Sequence, residues 1–132
     1  MSGERVQILK TKGLVRFARR ERIADDSLKQ AIDRAERGLI DADLGGGLIK
    51  LRIARPGQGR SGGFRVIVAY REQGRAVFLF GFAKNERENI DPDELQLFRL
   101  IGANWLAASA ASITQAIKTG DLEEISHDDE TA

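Results

Sequence analysis

The chain has 132 residues, 31% of them charged, a formal net charge of +1 and no cysteine. That length allows one domain around a single core, and the missing thiols exclude disulfides and thiolate zinc sites. No apolar run is long enough to span a bilayer, and the opening MSGERVQILK lacks the apolar stretch of a signal peptide, so a soluble, reducing, cytoplasmic setting without membrane contact is expected.

In chain order, Val6–Leu9 reads as a short edge strand, and Lys12 to Arg22 as a basic helix with Leu14, Phe17 and Ala18 on one face. Asp25, Asp26 or Ser27 is placed to cap a second helix. Its Leu28, Ala31, Ile32, Ala35 and Leu39 fall at helical spacing, and Gly38 is a natural stop. Three strands are predicted near Leu48–Arg55, Phe64–Arg71 and Ala76–Lys84, the last two joined through Glu72-Gln73-Gly74 as an antiparallel hairpin. The link Pro56–Gly63, PGQGRSGG, is too glycine-rich for regular structure and is expected to be mobile.

Asp91-Pro92-Asp93-Glu94 spells a helix start, with Asp91 as N-cap, proline at the first helical position and Glu94 at the capping-box place. Leu95, Phe98, Ile101 and Trp105 then form a core-facing stripe, and the alanine- and serine-rich stretch through Ala116 continues that helix or forms a separate one. Residues 120–132, GDLEEISHDDETA, carry six acids and no base and are expected to be a disordered tail to a single domain of residues 1–119. His127, the only histidine, falls in that tail. The order β-α-α-β-β-β-α implies an α+β domain: a small, mostly antiparallel sheet, two N-terminal helices and a C-terminal helix, with the helices on one face.

The near-neutral total hides an asymmetry. Residues 1–87 hold nineteen basic and ten acidic side chains, whereas 88–132 hold two and ten. Between Leu44 and Arg87 nine cations (50, 52, 55, 60, 65, 71, 75, 84 and 87) face two acids. A strand region so charged fits a polyanionic partner such as RNA or DNA; a solvated basic face without a ligand is the plain alternative. Lys50 and Arg52 point to one side of their strand, with Leu51 and Ile53 to the core. Arg65 enters the next strand. Lys84 closes the third, after Phe78, Phe80 and Phe82 at a spacing of two.

Gly57–Gly62 matches G-x-G-x-x-G, but a strand pattern, FRVIVAY, follows instead of the helix a dinucleotide site requires. That motif is rejected. A loop carrying Arg60 to a phosphate and a plain hairpin linker both remain open.

Three segments together resemble the RelE/ParE superfamily of type II toxin–antitoxin toxins, in particular its HigB-like RelE branch. They are Lys50-Leu51-Arg52, Gly59-Arg60-Ser61-Gly62-Gly63-Phe64-Arg65 and Phe82-Ala83-Lys84-Asn85-Glu86-Arg87-Glu88, and the resemblance covers roughly Val6–Ala108. It implies a RelE-like fold and a metal-independent, ribosome-dependent endoribonuclease that cuts mRNA and inhibits translation. Its partners would be mRNA on the ribosome and a cognate antitoxin, for which a helix-turn-helix protein is one type; no cofactor or metal is implied. By position Lys50, Arg52, Arg65 and Lys84 look like the family's catalytic cations, with Arg55, Arg60 and Arg87 as RNA-binding. Some relatives place a tyrosine after the last strand for proton transfer. Ile90 and Asp91 stand there in this chain, and the only tyrosine is Tyr70.

Metal-free RNA cleavage needs a base for the ribose 2′-hydroxyl, neutralisation of charge developing on the phosphate, and an acid for the leaving 5′-oxygen. A lysine crowded by arginines gives up its proton more readily. Lys50 is therefore a candidate base, Arg65 a transition-state stabiliser and Lys84 a second base or the acid; phosphate binding by all of them is the simpler reading. Two rival functions remain at this point, a gyrase-inhibiting ParE-like toxin and a non-catalytic RNA-binding module. Clustered strand cations weigh against the first, and phenylalanines that alternate as core residues weigh against the second.

Overall fold

Alternation along the strands sends apolar side chains to both faces of one sheet, and each face is covered by a pair of helices. The computed structural model describes residues 6–54 and 63–127. In order these form β1 (Gln7–Thr11), α1 (Lys12–Glu21), α2 (Asp25–Glu36), β2 (Ala42–Gly45), β3 (Leu48–Ile53), β4 (Phe64–Arg71), β5 (Arg75–Ala83), α3 (Pro92–Ala107), α4 (Ala110–Thr119) and β6 (Leu122–Ile125). The sheet runs β2-β3-β4-β5-β1-β6. Only the β1–β5 pair is parallel. This is the expected α+β architecture with additions.

The first core lies between the sheet and α1 and α2, and holds Ile8, Leu51, Ile53, Phe64, Val66, Val68 and Phe78 with Leu14, Phe17, Leu28 and Ile32. Leu9, Leu48, Ile67, Val77, Leu79, Phe82, Ile113 and Leu122 form the second, on the side of α3 and α4. The expectation of helices on one face is therefore corrected. Its cause is legible in β4, which is buried at six consecutive positions and whose apolar run from Val66 to Ala69 is that of a strand covered on both sides.

Several boundaries move for identifiable reasons. β1 is an interior strand because β6 pairs beside it, Ile8 with Ile125 through Thr11 with Leu122. Residues 122–125 are thus a strand with Leu122 and Ile125 buried, not part of a disordered tail, and the His127 ring contacts the Val6 carbonyl oxygen at 2.7 Å. The α2 N-cap is Ala24, without a side-chain cap bond. Asp25 instead accepts from Lys10 at 2.7 Å, and with Asp26 places negative charge in the first turn, where the helix dipole favours it. The Asp91–Glu94 capping box forms as expected, and α4 is a separate helix capped by Ser109. The expected mobile link falls mostly outside the described residues; of it only Gly63 is described. Among the described residues, no helix is long and apolar enough to cross a membrane.

A β-bulge in β5 decides which phenylalanines face which core. Ile67 pairs with Phe80 but Val68 with Phe78, leaving Leu79 as the extra residue. Phe78 joins the α1–α2 side, while Phe80 and Phe82 lie on the α3–α4 side. The even alternation expected of the three is broken there. Gly81 lies against α1: a Cβ on it would stand 2.3 Å from the Phe17 ring, which packs edge-on against Phe64 at 5.7 Å. Gly81→Ala should therefore destabilise the fold by about 1–3 kcal/mol, the usual cost of overpacking. Thermal unfolding checks this, and an unchanged melting temperature would refute it.

Candidate nucleic-acid interface

Register brings together cations that lie apart in sequence. Arg52 on β3 pairs directly with Arg65 on β4, and Lys50 follows two residues back on the same face. All three meet one carboxylate, Asp41, in the connection from α2 to β2. Lys50 Nζ is 3.8 Å from Asp41 Oδ2, Arg65 Nε 3.4 Å from the same oxygen, and Arg52 Nη2 3.5 Å from Oδ1. The Asp41 N–H donates to the Lys50 carbonyl at 2.9 Å, which fixes the segment on β3.

These contacts are looser than the roughly 2.7–2.9 Å of a charge-assisted hydrogen bond, and one carboxylate faces three cations. The cluster keeps a net positive charge that a phosphodiester complements. Exposure differs sharply: 47% for the Arg52 side chain, 13% for Lys50 and 7% for Arg65. Arg65 also donates to its own residue's neighbour, the Phe64 carbonyl, at 3.3 Å. It is a buried group held in place at the entry to β4. Beside Asp41 and Arg52 opens a cleft of about 530 Å³, walled by Arg34, Leu39 and Ile40.

The other basic residues divide between structure and site. Lys84 follows β5 with its N–H on the Gly63 carbonyl at 3.0 Å, at the same sheet end as Arg65, but among the described residues no ion pair joins it to the cluster. Arg87 is held by Glu94 at 2.5 Å. Arg71 and Arg75 donate to carbonyls at the end of α3, Arg71 to Leu106 at 2.7 Å and Arg75 to Trp105 and Ala108 at 2.7 and 2.9 Å, satisfying orphan acceptors of that helix terminus. They are part of the +7 counted along the strands yet hold the fold. Arg55 and Arg60 lie outside the described residues.

Asp41 is the residue that sequence reasoning missed. In LIDADLG nothing marks it, and its role depends on the pairing of β2 with β3, a strand that was not predicted. Tyr70 belongs elsewhere. It lies five residues along β4 from Arg65, about 16 Å at the usual strand rise, and its hydroxyl donates to Glu36. Burial and then that hydrogen bond push its phenol above the ordinary range, so it acts as a fixed donor there and not as a proton carrier at the cation cluster.

Comparison with known proteins adds one finding. Residues 6–125 match the family model described as RelE toxin of the RelE/RelB toxin–antitoxin system. No curated protein matches the chain.

Proposed function

The chain belongs to the RelE toxin family, and we propose that, as the toxin of a toxin–antitoxin pair, it is a ribosome-dependent endoribonuclease that cuts mRNA without a metal. The observation that carries this reading is the meeting of Lys50, Arg52 and Arg65 on one sheet face, where a phosphate can bind and the charge developing during cleavage can be neutralised. Lys84 stands at the same end of the sheet and Arg52 is the cation most open to an incoming strand. Asp41 alters the proposed division of roles. It stands 3.8 Å from Lys50 Nζ and offers a second acceptor for the 2′-hydroxyl proton. The deciding experiment incubates purified protein with translating ribosomes and maps mRNA ends. New ends within the decoded region support the reading; gyrase inhibition without cuts, or binding alone, would replace it.

The same cluster suits the cognate antitoxin, whose type we propose to be a helix-turn-helix protein. An acidic segment laid across Lys50, Arg52 and Arg65 would exclude RNA, and its affinity should fall steeply with salt. A complex indifferent to salt, or one leaving these side chains open, would contradict this.

Asp41→Asn tests the balance of charge. Removing the internal anion should tighten binding of single-stranded RNA about three- to tenfold at low salt, since it leaves three cations free for phosphate. It should also lower the melting temperature, because Arg65 would remain buried with its partner gone. Weaker RNA binding in a folded variant would show that Asp41 does not compete with phosphate.

A further inference from the structure

The bulge at Leu79 leaves Phe80 as the one residue of β5 that is not buried and turns it to the face of the cation cluster. Two rows then cross the sheet: Arg52–Arg65–Phe82 and Lys50–Ile67–Phe80. Adjacent strands are about 4.8 Å apart, so the aromatic end of each row begins roughly 10 Å from its β3 cation. Phe98 of α3 meets Phe80 at 5.1 Å with 30° between the rings, and Phe82 lies 6.2 Å from Phe80. Over this group lies the Arg87 guanidinium, 5.9 Å from the Phe80 ring centre and 5.6 Å from that of Phe82.

Arg87 is tethered from its edges. Its two terminal nitrogens donate to Glu94 at 2.5 and 3.3 Å, and Nε donates to the Asn89 carbonyl at 2.9 Å. Glu94 is itself fixed by the capping box with Asp91. Edge-on hydrogen bonds leave a guanidinium's flat face available for stacking, and the Arg87 side chain is 35% exposed. Phosphate contacts hold a strand in register without engaging its bases. Single-stranded RNA is otherwise recognised by stacking its bases on aromatic rings and arginine planes. Those are the groups that stand beside the cations.

We propose that Phe80, Phe98 and Arg87 form a nucleobase-stacking subsite. It receives the base next to the phosphate held by Lys50, Arg52 and Arg65, and so rests on the reading of that cluster as an RNA site. The probe is a single-stranded 2′-deoxy oligonucleotide, which lacks the attacking 2′-oxygen and cannot be cut. It is titrated into the full chain intact, with 2-aminopurine, or with one abasic position moved along it. One abasic position should weaken binding about five- to a hundredfold, the range expected for loss of a stacked base, and 2-aminopurine at that position should be quenched. Phe98→Leu keeps the apolar packing and the charge; it should reduce both effects with the salt dependence unchanged. Arg87→Ala should do the same to quenching. If the abasic probes bind as tightly as the intact one while salt dependence persists, the stacking subsite is wrong and the phosphate cluster stands. If no salt-dependent binding occurs either to the free chain or to the chain on ribosomes that carry the probe in place of mRNA, the RNA reading falls and the subsite with it.

Discussion

Arg65→Ala is expected to lower mRNA cleavage about a hundred- to a thousandfold, the usual loss when one preorganised charge donor is removed from a site. Arg65 is the most enclosed of the three cations, and its position is set by strand pairing with Arg52 and Phe82. A charge fixed in advance needs no reorganisation when the phosphate becomes more negative. Loss of one phosphate contact among several should weaken ribosome affinity only modestly. The defect should therefore fall on kcat more than on KM. Burial complicates the alanine variant, because Asp41 loses one partner and the second core, through Phe82, borders the gap. Arg65→Lys provides the control: it keeps a positive charge near Asp41 but not the planar fork, and should fold normally while cutting more slowly than wild type. A folded Arg65→Ala protein that cuts mRNA at near wild-type rate would refute the assignment. So would a loss of cleavage matched fully by a loss of affinity, which would leave Arg65 with binding alone. Lys50→Ala and Lys84→Ala, measured the same way, separate their roles.

Local rules made part of this site legible. Alternation of Lys50 and Arg52 with Leu51 and Ile53 is a property of the strand itself, and the structure shows the first pair turned away from the core that holds the second. The α3 start was equally readable, because a capping box is satisfied within four residues. What could not be read depends on partners distant in sequence. β2, ADLG, is only four residues long, too short for its alternation to mark a strand, and exists by pairing with β3, turning through Gly45, Gly46 and Gly47, all at positive φ. Its formation brings Asp41 to the cations. The charge count along the strands overstated the nucleic-acid face for the same reason, since the carbonyls that occupy Arg71 and Arg75 come from the end of a helix 30 to 35 residues later. The bulge in β5 is set by register with β4, so an even spacing of phenylalanines did not report their faces.

The largest error of that kind carries the second major expectation. A chain ending at Gly120 should fail to fold stably, although residues 120–132 read as a disordered acidic tail. Leu122 and Ile125, three positions apart on a strand, point to opposite faces, one into each core. That spacing is why no amphipathic pattern shows. Burying each contributes about 1.5–3 kcal/mol, against a total stability of about 5–15 kcal/mol for a domain. The acids between and around them meet basic or polar groups of the body: Glu123 pairs with Lys10 at 3.1 Å, Asp121 with Lys12 at 3.3 Å, and Glu124 accepts from Gln7 at 3.4 Å. Lys10 is one of three buried polar or charged side chains among the described residues, so losing Glu123 leaves it with Asp25 alone. Truncation also turns β1 into an open edge, a template for aggregation. A chain ending at His127 keeps β6 and should melt within a few degrees of the full chain. The Gly120 truncation should instead unfold at much lower temperature or aggregate, as followed by circular dichroism and light scattering. Equal melting temperatures for the Gly120 truncation and the full chain would show that β6 contributes nothing to the fold and restore the acidic segment to the status of a tail.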